Sequence, residues 1–150
     1  MSKTMSETLM SILEYNFLNS RVVDCQIMDL PIVHKDNGNI TAINQMIDIP
    51  FEIRRVYYLY DIPGGEERGG HAHRNLYQLI TAASGAFDVI LSDGTITRKE
   101  RLDKPYRGLF VVPGIWRELT NFSSGAICLV LASELYDIED YIRDYNLFNK

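Results

Sequence analysis

The chain is poor in the residues from which small proteins build covalent or metal staples. It has two cysteines, Cys25 and Cys128, in 150 residues. They stand far apart and form no CxxC pair. That pattern excludes a disulfide framework and a zinc knuckle, and it fits two reduced thiols in a cytoplasmic protein. No GxGxxG opens a helix, and neither a P-loop nor a GxSxG elbow is present. Dinucleotide binding, Walker-type phosphoryl transfer and serine-hydrolase chemistry therefore carry no signal. Met1–Leu18 lacks a basic start followed by a long apolar run, so neither a signal peptide nor a membrane span is expected. Lys and Arg cluster nowhere and the net charge is −5, which argues against a nucleic-acid partner. An anionic ligand would need a local arginine pocket working against that charge.

What is present suits one compact domain of 46% hydrophobic residues, long enough to bury a core without staples. Residues 1–21 read as an N-terminal appendage, with Leu9, Ile12, Leu13 and Phe17 predicting a short amphipathic helix over Glu7–Leu18. The main domain covers residues 22–150. It shows short apolar or alternating runs at Val22–Leu30, Ile40–Ile47, Ile53–Asp61, Leu76–Ala82, Ala86–Leu91, Thr95–Leu102, Leu109–Val112 and Ala126–Ala132. Turn residues such as Asp36-Asn37-Gly38, Pro63-Gly64-Gly65 and Asp93-Gly94 punctuate them, the last a good hairpin signal. Many short strands imply an all-β sandwich, jelly roll or barrel. Ser133–Phe148 breaks the pattern, with Leu135, Ile138, Tyr141, Ile142 and Tyr145 at helical spacing. One or two helical turns packed outside the β-domain are expected there.

Of the three histidines, two lie in Gly70-His71-Ala72-His73. Residues two apart on a strand share a face, so both rings should enter one space, for metal binding or for proton transfer near neutral pH. The segment follows the cupin pattern of Gly, His-x-His, four residues, Glu, six residues, Gly, with Gln78 in place of Glu and then Gly85. A second stretch, Gly108, Pro113-Gly114, Trp116-Arg117-Glu118 and Asn121, places Arg117 where that pattern has its third histidine. A guanidinium offers no lone pair and repels a cation, so the barrel reads as a metal site turned to metal-free, cofactor-free use. Two imidazoles and an arginine suit enolisation: a histidine removes a proton beside a carbonyl, and the arginine steadies the oxyanion.

In Arg54–Asp61, Arg55 and Tyr57 share one strand face, while Val56, Tyr58 and Tyr60 share the other. Tyr57 beside the histidines would shuttle a proton between sugar oxygens, or it is simply a good β-former. Pro63–Gly70 reads as a flexible loop in which Arg68 meets a ligand phosphate or is a solvated charge. Trp116 lines the barrel mouth or belongs to the core. His34, in a polar turn, reads as surface.

The runs Ile49–Tyr58, Arg68–His73, Gly108–Trp116 and Asp140–Tyr145 together resemble the WxcM-like cupins, which include the dTDP-4-keto-6-deoxyglucose 3,4-ketoisomerases. The likeness covers roughly residues 30–148. It implies a cupin jelly-roll β-barrel with a short C-terminal helix, a homodimer with exchanged N-terminal strands, and a dTDP-linked 4-keto-6-deoxy sugar as substrate. It implies His71 as the base moving a proton between C3 and C4, with His73 and Tyr57 completing the acid–base set. Arg55, Arg68, Arg117 and Gln78 would hold the sugar nucleotide, and Asn37 lies in an early loop that approaches the sugar. Arg117 and Asn37 stand where other members differ, which leaves gluco or galacto configuration at C4 open. The product would pass to an aminotransferase, toward a 3-amino sugar of a cell-surface glycan such as O-antigen. Rival readings are a sugar 3,5-epimerase, a non-catalytic sugar-binding cupin and a metal-dependent cupin enzyme.

Overall fold

A computed structural model describes residues 15–148 of the chain. Two five-stranded antiparallel sheets face each other as a jelly roll. The strands are β1 (Gln26–Asp29), β2 (Val33–Lys35), β3 (Gly38–Ile40), β4 (Arg55–Leu59), β5 (Arg68–His73), β6 (Gln78–Ser84), β7 (Phe87–Ser92), β8 (Thr97–Leu102), β9 (Arg107–Val111), β10 (Trp116–Thr120), β11 (Ile127–Ala132) and β12 (Tyr141–Ile142). One sheet runs β1-β9-β6-β11-β4, the other β12-β5-β10-β7-β8, and β2 and β3 form a separate hairpin. The two sheets are hydrogen-bonded as separate ladders, and the barrel interior is the space between them. The fold class is the one expected.

The main core fills one part of that space with Leu79, Phe87, Val89, Leu91, Leu109, Val111, Cys128 and Val130, all buried. The β7–β8 hairpin turns at Asp93-Gly94, as its sequence predicts. The Asp93 carboxylate accepts from the Thr95 and Ile96 amides at 2.9 and 2.8 Å, and from Val22 N at 3.0 Å. One buried aspartate thus closes the turn and ties the domain's first residues to it.

Two expectations are corrected. The helix over 7–18 falls mostly on residues 7–14, which lie outside the described residues; at its end, Phe17 and Leu18 belong to a turn. This stretch packs against the domain: the Phe17 backbone lies where any Cβ on Gly114 would sit, 2.6 Å away. Ile40–Ile47 is a strand only to Ile40, where the β2–β3 hairpin ends. Ser133–Phe148 holds a 3-10 turn at Ile138–Asp140, strand β12 and a one-turn helix α1 (Tyr145–Phe148). β12 pairs with the free edge of β5, Tyr141 opposite His73 and Ile142 opposite Ala72. Satisfying that edge outweighs the helical period of the sequence. Ile142 and Phe148 then bury with Ala72 and Trp116 in a second cluster outside the sheet.

Candidate active site

β4 shows why the cavity is polar. Arg55, Tyr57 and Leu59 turn inward, while Val56, Tyr58 and Tyr60 are exposed on the outer face. Across the cavity, β5 and β10 pair with Arg117 opposite His71 and Leu119 opposite Arg68. The register shift between these pairs is a bulge, and Gly69 carries it with φ +84°. A bulge residue lets positions three apart face the same side, so Arg68 and His71 both line the cavity. The segment read as a flexible loop is thus a strand from Arg68 onward.

The cavity has a volume of about 430 Å³, in the range of small-molecule sites. Of the residues expected in the site, Arg55, Tyr57, Arg68, His71, Gln78 and Arg117 line it. His73 lies directly behind, fully buried, with its Nε2 3.0 Å from His71 Nε2. Asn37 is exposed on the β2–β3 hairpin and is not among the lining residues of its own chain's cavity. His34 is on the surface, its Nδ1 2.6 Å from Asn39 Oδ1. Trp116 belongs to the second core cluster, edge-on to Tyr145, rather than to the cavity.

Reading the sequence missed four residues here. Tyr136, Tyr141 and Arg143 form a further wall, and Asp140 Oδ2 sits 2.8 Å from His73 Nδ1. The aromatic pair is bracketed by cations: Arg55 lies 5.5 Å from the Tyr136 ring and Arg143 4.4 Å from the Tyr141 ring. Arg55 Nε and Nη2 are buried without a hydrogen-bond partner, two donors awaiting an acceptor. Among the described residues, four arginines line the cavity and no carboxylate does. This is the local cationic pocket that an anionic ligand requires in an acidic chain.

Arg117 is the most deeply placed of these cations. It donates through Nη1 to Gln78 Oε1 and through Nε and Nη2 to the Ile115 carbonyl, at 3.3 and 2.8 Å. Gln78 in turn donates to the Tyr57 hydroxyl at 2.9 Å, which leaves the phenolic proton free to point elsewhere. Burial, with the Arg117 charge next in weight, pushes the His71 imidazole down to about 2. Burial also takes His73 down to about 4, although its bond to Asp140 opposes the fall. Burial raises Asp140, but its bonds from His73 and from the Asn75 and Arg74 amides more than offset that and hold it below its ordinary value. Burial pushes the Tyr57 phenol up despite Arg117. Near neutral pH the site holds two neutral imidazoles, a protonated phenol, a guanidinium cation and a carboxylate.

Fold and site together define a jelly-roll protein of the cupin type, its interior arranged for acid–base chemistry on an anionic ligand. The family model FdtA, described as WxcM-like, C-terminal, matches residues 23–150, and the chain belongs to that family. A TDP-4-oxo-6-deoxy-alpha-D-glucose-3,4-oxoisomerase from Aneurinibacillus thermoaerophilus is 42% identical over 83% of this chain and 90% of its own. The WlaRB TDP-quinovose 3,4-ketoisomerase from Campylobacter jejuni is 42% identical, with a TM-score of 0.81, 85% of this chain and 98% of that one covered. A variant of the QdtA 3,4-ketoisomerase from Thermoanaerobacterium thermosaccharolyticum, solved in complex with TDP-4-keto-6-deoxyglucose, is 35% identical. Its TM-score is 0.81 over 83% of this chain and 90% of that one. Among the described residues, no helix is long and apolar enough to cross a membrane.

Proposed function

We propose that this chain is a dTDP-sugar 3,4-ketoisomerase, shifting the keto group of dTDP-4-keto-6-deoxyglucose from C4 to C3 without a cofactor. The observation that carries the reading is His71 in a cavity beside the buried Arg117 guanidinium and the Tyr57 hydroxyl. The C4 ketone acidifies the C3 hydrogen. His71 takes that proton, and the electron pair moves to O4 as an enediolate. Arg117 stabilises the developing negative charge. Tyr57 moves a proton from O3 to O4, and C4 gains a proton as His71 gives up the one it took, leaving the ketone at C3 and both side chains as they began. Arg55 and Arg68 hold the diphosphate, and the apolar Leu59, Ile80 and Val130 floor the sugar end.

The related enzymes named above support this substrate class. The product would feed an aminotransferase making a dTDP-3-amino-3,6-dideoxy sugar in the cytoplasm. The protein would act as a homodimer that exchanges its N-terminal strands. Supporting this, the β2–β3 hairpin is exposed throughout, and Ile32, Val33, Ile40 and Ile47 show apolar surface around it. In such a dimer Asn37 would reach the partner's cavity. The test is incubation with dTDP-4-keto-6-deoxyglucose followed by proton NMR of the sugar ring. A 3-keto product supports the reading and shows the configuration at C4. Exchange at C5, or binding without turnover, overturns it.

A further inference from the structure

We infer that Asp140, acting through His73, fixes which nitrogen of His71 is the base: Nδ1 takes the proton, because the Asp140 carboxylate holds both imidazoles in one tautomeric state. The inference rests on the ketoisomerase reading for its kinetic consequence, but the tautomers themselves do not depend on it.

Ionised Asp140 is an acceptor only, so His73 Nδ1, 2.8 Å away, must carry a proton and donate it. A neutral imidazole has one N–H, so His73 Nε2 is then a bare acceptor. His71 Nε2, 3.0 Å from it, must be the donor. That leaves the lone pair of His71 at Nδ1. His73 is fully buried with both nitrogens engaged, so it reaches no substrate. It is a positioning residue, as is Asp140, and the acid–base role expected of it belongs to His71 and Tyr57. When Nδ1 accepts a proton, the imidazolium of His71 shares its charge along the chain toward the carboxylate, which offsets the repulsion of Arg117 opposite.

The second oxygen of Asp140 makes the idea testable. Oδ1 accepts from the Asn75 amide at 2.7 Å. In Asp140→Asn the side-chain carbonyl must stay toward that amide, which turns the NH₂ group toward His73 Nδ1. The NH₂ group donates, so His73 becomes protonated at Nε2 and His71 at Nδ1. Every group keeps its place, and the base loses its lone pair.

The experiment is long-range proton–nitrogen NMR on full-length protein labelled with ¹⁵N-histidine, alongside steady-state kinetics. Wild type should show His71 protonated at Nε2 and bare at Nδ1, and His73 protonated at Nδ1. Asp140→Asn should invert that pattern and lower kcat by about a thousandfold or more, with KM within about threefold. A wild-type His71 protonated at Nδ1 overturns the inference, as does an Asp140→Asn variant with unchanged tautomers or with kcat within about tenfold of wild type. Should the variant fail to fold, the wild-type spectrum decides alone. A wild type that shows the expected tautomers but turns over no sugar would remove the ketoisomerase reading and leave the relay standing.

Discussion

Arg117 stands opposite His71 on the neighbouring strand, and among the described residues its hydrogen bonds go to Gln78 and the Ile115 carbonyl, none to a carboxylate. A buried cation without a hydrogen-bonded counter-charge is costly to keep. In the proposed reaction the enediolate supplies that charge at close range, and only once it forms. Arg117→Gln should therefore lower kcat by about a hundredfold to a thousandfold. It should also let His71 titrate at higher pH, since the Arg117 charge is the largest depressing influence after burial. Proton NMR of the histidine rings against pH checks the second outcome independently of turnover.

Tyr57→Phe preserves the ring packing and removes the hydroxyl that accepts from Gln78. A loss of about a hundredfold in kcat is expected, with thymidine diphosphate affinity unchanged. The buried Gln78 amide loses its partner, so the variant should also unfold about 1–3 kcal/mol more easily. Chemical denaturation and calorimetric titration measure the two effects.

The histidines set a pH dependence of stability with a definite sign. Both have folded-state values below the ordinary 6.5, at about 2 and about 4. Below 6.5 the unfolded chain binds protons that the folded one refuses, so stability is full above that value and falls as pH drops toward 4. Each ring contributes a slope of up to about 1.4 kcal/mol per pH unit in that window. The lowered Asp140 adds a loss of the same sign at lower pH. Urea unfolding at about pH 7.5 and about pH 5 should show the lower midpoint in acid. Equal midpoints would mean that these rings are not buried in neutral form.

Gly69→Ala tests the bulge. At φ +84° an alanine is strained by about 1–3 kcal/mol, and its Cβ would sit 3.3 Å from Leu119 Cγ. Arg68, one residue before, should lose its aim at the cavity. KM should rise severalfold with a smaller change in kcat, and the melting temperature should fall.

The elements that face the apolar core were legible in the sequence, while those that face the polar cavity were less so. β4 betrayed its inward face by alternation, and Asp93-Gly94 marked its hairpin. β10 was not among the expected strands and the start of β5, Arg68–Gly70, was read as a loop, because Arg68, Gly69, Gly70, Arg117 and Glu118 give no apolar period to read. The bulge at Gly69 broke the remaining pattern. Asp140 was invisible as a site residue for another reason: it lies 67 positions from His73, and only the pairing of β12 with β5 brings them together.

The cationic lining of an otherwise acidic molecule has a consequence for kinetics. A doubly charged nucleotide is repelled by the molecule as a whole and attracted only within about 10 Å of the entrance, the screening distance at 0.1 M salt. Raising ionic strength should thus ease the approach and at the same time shorten the stay. Arrival and residence respond to salt with opposite signs, so an equilibrium constant measured at a single buffer composition would conceal both.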